Sequence, residues 1–568
     1  MSQQVVIIGA VALGPKAACR LKRLEPDSRV IMVDENEIIS YGGCGIPYYV
    51  SGDISDAREL QSTTFHMVRD VSFFREAKDV EVRTRTRALS IDRKARQVHV
   101  HDLEKDEKYH LDYDKLVLST GSSPRKLPLP GVDLPGVYTV SGLEEAIRLK
   151  GQISQSGVEK AVVVGAGLIG LEMAEALADL WGIETSVVEI APQVLPGFIS
   201  PDMARMVGNV LEENDISVYT GEQVKEIFGE DRVKGVRTDQ RELEADMVIL
   251  AAGVIPNSDL AREAGLEVSP QGAVVVDRHM RTSDEHIFAG GDCVQLQNLV
   301  TGKPGYYPMG SMANRQGRVI GTNLAGGNDE VPGAVGSFVV KLFDHAVSGT
   351  GLSIETASRQ GFDAVSAFVT QFDKSHFYPE KDLLYLELVV ERGTGRILGL
   401  QGLSTGGDSL KGRIDCVAAL LPGKPTTKDL SNLEVSYSPP FGSAMDALNS
   451  LGNVAENILQ GFNKGLRPAE FAELWEKRQE KDVVFLDCRD EDNARPFMDK
   501  YPEKWKNVKA ETLDFNLDKV PQAETVVLLC NNGARSYEAS LKLARHGITN
   551  TLNVHGGMSM IKKWGVDI

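Results

Sequence analysis

Six cysteines are spread over 568 residues, and two of them sit in settings that favour sulfur chemistry. Cys44 lies in Ser40-Tyr41-Gly42-Gly43-Cys44-Gly45-Ile46-Pro47, and the nearest cysteines in sequence are Cys19 and Cys293. A dithiol relay needs two cysteines a few residues apart, so a redox-active Cys44 is expected to form its disulfide with a sulfur outside the chain. That implies a small thiol, disulfide or persulfide as substrate. The second is Cys530, in Val527-Leu-Leu-Cys530-Asn531-Asn-Gly533-Ala-Arg535-Ser536. A thiol that ends a strand, in a glycine-bearing loop leading into a helix, meets backbone N–H donors at a positive helix end. Such a loop favours a thiolate and stabilises an anionic persulfide. Asn531, Gly533, Arg535 and Ser536 form the loop, and Arg535 adds a fixed positive charge.

The elements that must position these thiols are legible as repeats. Residues 160–189 read strand, glycine turn, helix, strand, with Gly165-Ala-Gly167-Leu-Ile-Gly170 at the turn and Glu189 at the end of the second strand. The glycines allow a tight turn and close approach of a pyrophosphate, and the helix N-terminus supplies positive potential. Glu189 can accept from a ribose 2′-hydroxyl and would repel a 2′-phosphate. No Arg or Lys follows it in residues 190–196, so NADH is expected over NADPH. Residues 4–34 repeat the plan less regularly. Gly9-Ala10-Val11-Ala-Leu-Gly14 has valine at the middle glycine, Pro15 opens the helix where proline is tolerated, and Asp34 and Glu35 close the second strand. Two such units imply two nucleotide domains, one inserted in the other.

Length predicts three or four domains. The net charge of −18 excludes a general nucleic-acid binder. The apolar run at 161–171 is too short to span a membrane. The N-terminus enters a strand pattern with no signal-peptide features. So few cysteines in so long a chain do not make a disulfide scaffold, and a reducing cytoplasm is the expected compartment. No metal site is expected. Residues 335–343, 364–372 and 383–391 read as strands. Residues 451–465 read as a linker, and a small α/β unit follows, with strands at 483–486 and 525–529 and a helix from about 536 to 546.

Taken in order, these segments resemble a known family. Residues 115–124, with Thr120 and Gly121, residues 246–256, with Gly253, and residues 282–292, ending Gly290-Gly291-Asp292, look like the strand-to-loop crossings of flavoproteins with two dinucleotide domains. With Cys44 added, residues 1–450 resemble the single-cysteine branch of the pyridine nucleotide–disulfide oxidoreductases, most closely the coenzyme A-disulfide reductases. Ser40, Tyr41, Gly42, Gly43 and Cys44 fit that signature, although Tyr41 and Gly43 replace the usual Phe and Asn. The resemblance implies FAD at the first unit and NADH at the second. The implied cofactor contacts are Gly9, Ala10, Gly14, Asp34, Glu35, Gly42, Thr120, Gly121, Gly165, Gly167, Gly170, Glu189, Gly253, Gly291, Asp292 and Ala313. It also implies that coenzyme A is held by Lys16, Arg20, Arg23, Ser40, Gly43 and Lys78. Lys16, Arg20 and Arg23 are spaced i, i+4 and i+7 on one helix face. Tyr378 and Tyr437 match two tyrosines that in the family reach the partner subunit's cysteine, which implies a homodimer with shared sites.

Residues 466–568 resemble a rhodanese domain, with Asp487-Cys488-Arg489 similar to its aspartate–arginine segment; the usual Gly-His-Ile stretch is absent between 489 and 526. Cys488 and Cys416 read as buried packing residues, Cys19 as facing the interior of the first helix, and Cys293 as a cysteine without a partner. The expected architecture is α/β: an FAD domain (1–150 and 250–330), an NAD domain (151–249), an α+β dimerisation domain (331–450), a linker (451–465) and the rhodanese domain (466–568). The resemblance implies hydride entry from NADH through FAD to oxidised Cys44. It orders the activities as persulfide or polysulfide reduction first, coenzyme A-disulfide reduction second, and NADH oxidase or peroxidase activity third.

Overall fold

The computed structural model describes residues 3–568, which divide into two compact units. One holds the chain up to Ile190 together with Tyr219–Ala334; the other holds Ala191–Val218 together with Val335–Ile568.

The first unit is built on two parallel sheets. In one, the strands run in the order Ile287–Ala289, Lys115–Leu118, Gln4–Ile8, Arg29–Val33, Glu81–Arg83. Val5, Val6 and Ile7 are fully buried, which explains why this strand reads as an unbroken apolar run rather than an alternating one. The outermost strand arrives from far along the chain, so this sheet is assembled from two separated stretches of sequence. The second sheet aligns Glu184–Glu189, Lys160–Val164, Met247–Leu250 and Val137–Thr139.

Helix Leu13–Leu24 crosses helix Gly310–Leu324 at two glycines. A Cβ at Gly317 would lie 2.7 Å from the Leu13 carbonyl oxygen, and one at Gly321 would lie 2.6 Å from that of Ala17. The close crossing therefore requires both residues to lack side chains. The first helix starts within the Gly9–Gly14 turn, and the second starts at Gly310, where a Cβ would lie 3.4 Å from Cys44 Sγ.

The second unit opens with an antiparallel sheet in the order Phe338–Leu342, His345–Gly351, Ile397–Ser404, Leu383–Glu391, Ala364–Phe372. Helices Gly407–Leu420 and Ala447–Leu459 pack on it. A parallel sheet follows, ordered Gly465–Leu466, Thr551–Val554, Thr525–Leu529, Val483–Asp487, Trp505–Asn507.

Several expectations are corrected. The first strand of the antiparallel sheet begins at Phe338 rather than 335, because Gly336 takes a positive φ of 77° and turns the chain. Much of the expected linker is helix Ala447–Leu459, started by a capping box in which Asn449 Oδ1 accepts from Asp446 N, while Asp446 also accepts from Leu448 N. Residues 191–218, read as part of the NAD domain, group with the second unit. The cause is helix Pro201–Glu213. Its buried Asp202 accepts hydrogen bonds from Ala469 N and Trp564 Nε1, each at 3.0 Å, beside Arg467. Cys416 is exposed on its helix, not a packing residue.

Candidate active sites

Cys44 sits in a single 3-10 turn, Gly43–Gly45, directly before helix Ile46–Ser51. Ser40, four residues earlier, is held at φ 50° with its N–H on the Ala10 carbonyl at 2.8 Å, which fixes the turn to the first glycine loop. The Cys44 thiol is exposed yet surrounded by enough protein for desolvation to push its pKa up. Glu172 raises it further, and the Gly310 N–H, at the start of the long helix Gly310–Leu324, works in the opposite direction. Cys19 and Cys293 are also free thiols. Cys293 is fully buried, with its Sγ on the Gly290 carbonyl at 3.2 Å.

Sequence reasoning missed Glu172. It follows the second glycine motif on helix Leu168–Ala178, and burial together with Glu175 pushes its carboxyl up to about 7. The same carboxylates act on Tyr48, whose phenol burial first, then Glu172 and Glu175, push up to about 12. No residue pattern signals this, because a glutamate on a helix normally faces water.

The two glycine turns are built alike. A Cβ at Gly9 would lie 2.1 Å from the Ser119 carbonyl oxygen, and one at Gly14 would lie 2.1 Å from that of Gly9. Asp34 accepts from Ala10 N at 2.8 Å, tying the turn to the end of the second strand. In the other turn Glu189 accepts from Ala166 N at 2.7 Å, and a Cβ at Gly170 would lie 1.9 Å from the Gly165 carbonyl oxygen. A Cβ at Gly167, Gly121 or Gly253 meets nothing within 4 Å, so open space lies beside these backbones. Two tight turns at strand ends, each with an acidic partner and a following helix N-terminus, fit two dinucleotides. Asp292 is half-buried and raised by desolvation, with Ser122 Oγ donating to it at 3.3 Å. Gly291 N donates to Gln316 Oε1 at 2.5 Å, another contact the sequence did not reveal.

The basic residues converge from two helices. Lys78, the last residue of helix Val71–Lys78, acts with Arg23 and Lys16 on the Cys19 thiol, opposing the desolvation that raises it. Lys16 and Arg23 are exposed. Arg20 instead has its Nε on Thr322 Oγ1 at 3.0 Å, and its stem covers Gly321.

The loops carrying Tyr378 and Tyr437 are hydrogen-bonded together. Ser375 donates from N to the Pro439 carbonyl at 3.3 Å and from Oγ to that of Gly442 at 3.0 Å. Arg413, unnoticed in the sequence, braces both loops. It is buried, pairs with Asp446 at 2.6 Å and donates to the Asp373 carbonyl at 3.0 Å. Tyr437 is 48% exposed.

Cys530 follows strand Thr525–Leu529, and helix Ala534–Arg545 starts four residues later. Its Sγ accepts from Gly533 N at 3.1 Å and Ser536 Oγ at 3.2 Å. Gly533 takes φ 90°, and a Cβ at Gly557 would lie 2.4 Å from the Cys530 carbonyl oxygen, so the loop closes on two glycines. Arg535 lies 3.6 Å from Glu511. Asp487 and Arg489 form a buried bidentate pair, at 2.6 Å from Nη2, beside Trp505 Nε1 at 3.2 Å. The pair supports the base of the loop without the missing Gly-His-Ile segment.

Two nucleotide cradles, a thiol at the start of two helices, a separate antiparallel sheet and a thiol loop define a flavoprotein oxidoreductase joined to a sulfurtransferase fold. The chain belongs to the pyridine nucleotide-disulphide oxidoreductase family, which residues 3–317 match; residues 337–448 match that family's dimerisation domain and residues 470–563 the rhodanese-like domain. It is similar to the solved structure of a NAD-dependent persulfide reductase from A. fulgidus, with 37% identity, a TM-score of 0.92, and 98% of this chain and 99% of that one covered. Among curated relatives, a CoA-dependent NAD(P)H sulfur oxidoreductase of Pyrococcus abyssi is 34% identical, covering 80% of this chain and 98% of its own length. An NADH oxidase of Methanocaldococcus jannaschii is 32% identical, covering 79% and 100%.

Proposed function

We propose that this protein uses NADH to reduce persulfide or polysulfide sulfur, with coenzyme A as carrier thiol, Cys44 as the redox cysteine and Cys530 as a second sulfur carrier. The observation that carries the reading is the pair of separately cradled thiols: Cys44 at two helix starts and Cys530 under two donors, Gly533 N and Ser536 Oγ. The names of the A. fulgidus and Pyrococcus relatives support the substrate class.

Gly9–Gly14, Asp34 and Asp292 would hold FAD, which would supply the two-electron passage from NADH to sulfur. Cys44 attacks the carrier sulfur of a coenzyme A persulfide. The bond to the terminal sulfur breaks, hydrosulfide leaves, and a mixed disulfide of Cys44 with coenzyme A remains. Two electrons and one proton return the Cys44 thiolate and the coenzyme A thiol. Lys16, Arg23 and Lys78 meet the anionic nucleotide end of the carrier, and binding by that handle orients the sulfur. Tyr378 and Tyr437, supplied by the partner subunit of a homodimer, hydrogen-bond the departing thiolate. Cys530 takes sulfane sulfur as a persulfide and passes it to the small thiol. The persulfide cradle ranks this reading above simple coenzyme A-disulfide reduction, which needs no sulfur carrier.

The test is NADH turnover with coenzyme A persulfide, coenzyme A disulfide, glutathione persulfide and hydrogen peroxide for wild type, Cys44→Ser and Cys530→Ser. The expected result is rapid turnover with the coenzyme A persulfide that Cys44→Ser abolishes. It should be accompanied by loss of thiosulfate-to-cyanide sulfur transfer in Cys530→Ser only. Rapid turnover with peroxide alone would overturn the reading in favour of a peroxidase.

A further inference from the structure

The rhodanese-like domain holds a second thiol that the proposed reaction leaves unused. Cys488 follows strand Val483–Asp487, as Cys530 follows the neighbouring strand Thr525–Leu529. These strands are parallel and in register, Leu486 beside Leu528 and Asp487 beside Leu529, so the next residues of each are Cys488 and Cys530. Alternation along the strands puts both thiols on one face of the sheet. Leu486, Cys488, Val526, Leu528 and Cys530 share one apolar cluster, whereas Phe485, Val527 and Leu529 belong to the cluster on the opposite face.

Strand spacing places registered Cα atoms roughly 5 Å apart. A disulfide spans about 4.4–6.8 Å between Cα atoms. The two backbones therefore stand at disulfide distance. Cys488 is also held there: its N–H donates to the Leu529 carbonyl at 2.8 Å, and its carbonyl accepts from Ala510 N at 3.2 Å. Burial raises the Cys488 thiol, and the next cause is the charge on Cys530, an electrostatic sign that the sulfurs are neighbours. The other four cysteines lie outside this domain.

We propose that Cys488 is a resolving thiol for Cys530, closing a reversible intradomain disulfide when Cys530 is oxidised. A hydroperoxide is the oxidant. The Cys530 thiolate attacks its terminal oxygen, the O–O bond breaks, Cys530 becomes a sulfenic acid, and the alkoxide (hydroxide from hydrogen peroxide) leaves and takes a proton from water. Cys488 then attacks the Cys530 sulfur. The S–O bond breaks, the Sγ–Sγ bond forms, and the hydroxide leaves as water with the Cys488 proton. Two equivalents of a small thiol such as coenzyme A reduce the bond and restore both thiols. The disulfide keeps Cys530 from the sulfinic and sulfonic acids, which small thiols do not reduce. Sulfur transfer would stop under peroxide and resume on reduction. The inference rests on the reading of Cys530 as a reactive thiolate and adds to it the thiol that guards it.

The experiment uses the full chain, reduced and then treated with hydrogen peroxide until half of its thiosulfate-to-cyanide sulfur transfer is lost. Alkylation and peptide mapping by mass spectrometry should recover a Cys488–Cys530 linked peptide, and dithiothreitol should restore most of the lost activity. Cys488→Ser and Cys488→Ala should keep sulfur transfer before oxidation. After peroxide they should lose it irreversibly, with two or three oxygens added to the Cys530 peptide. Failure to find the linked peptide at half inactivation of wild type overturns the proposal, a result that needs no variant to fold. Equal recovery of wild type and both variants also overturns it and leaves Cys488 as packing. Absence of sulfur transfer in untreated wild type would refute the carrier role of Cys530, while the peptide map would still decide the disulfide.

Discussion

At the residue scale Cys44 and the carboxylate whose charge acts on it most strongly, Glu172, give a pH response. Glu172, pushed up to about 7, is neutral below that value and charged above it. Only the charged form repels the Cys44 thiolate, and it adds to the desolvation that already raises the thiol. Glu172→Gln removes the repulsion at every pH, so the Cys44 midpoint should fall. The measurement is the alkylation rate of Cys44 against pH in a Cys530→Ser background. An unchanged or higher midpoint would show that Glu172 does not act on the thiol. A second carboxyl works on stability. Glu387 is fully buried, its oxygens meeting the Ser200 and Ser366 hydroxyls, and burial pushes it up to about 8. A raised folded-state value favours the protonated form in the native protein. Its stabilisation is complete below about 4.5 and is lost as pH rises through 8, a change on the order of a few kcal/mol. Thermal unfolding of Glu387→Gln should therefore depend less steeply on pH between 5 and 8 than that of wild type; parallel profiles would show the carboxyl to be unlinked.

At the element scale the crossing of helices Leu13–Leu24 and Gly310–Leu324 positions both the first dinucleotide turn and the Gly310 N–H beside Cys44. Gly317→Ala puts a methyl 2.7 Å from a backbone oxygen, which must move. The expected cost is about 1–3 kcal/mol. The variant should melt earlier and release FAD more readily, as read by thermal unfolding and flavin fluorescence; wild-type retention of flavin would mean that the crossing absorbs the methyl. The glycine turns, the strands and the thiol loop were legible because each rests on a local constraint: a backbone needing glycine, a strand buried on both faces, a helix start beside a cysteine. The spacing of Gly317 and Gly321 was visible too, but spacing names no partner, and the crossing helix lies about 300 residues away. Helix Ala447–Leu459 was missed because Gly452 and a polar face imitate a linker, when a Cβ at Gly452 would meet Ser431 N at 2.7 Å. Arg413 and Asp202 were invisible because their ion-pair and hydrogen-bond partners, Asp446 and Trp564, come from distant segments.

At the scale of the whole molecule the proposed homodimer has each subunit complete the other's site. Tyr378 and Tyr437 sit on loops that bond to each other and are braced by Arg413, yet Tyr437 leaves nearly half of its surface in solvent. Phe377 and Phe441 beside them are 66% and 80% exposed, so the same loop pair presents two aromatic rings that a second subunit could cover. A two-fold dimer that covers this surface would place each tyrosine pair against the other subunit. If the cysteine and the tyrosines of one working site come from different chains, two inactive variants can rescue each other. Cys44→Ser mixed with Tyr378→Phe/Tyr437→Phe gives a hybrid in which one site has an intact Cys44 facing intact tyrosines. Random reassembly makes half of the dimers hybrids with one good site of two, so about a quarter of wild-type persulfide turnover should return. If instead all three residues of a site come from one chain, every hybrid site carries a lesion except where one parent was already active. The mixture would then show no more than the average of its parents. Reassembly after mild denaturation, with NADH turnover read before and after mixing, separates the two outcomes.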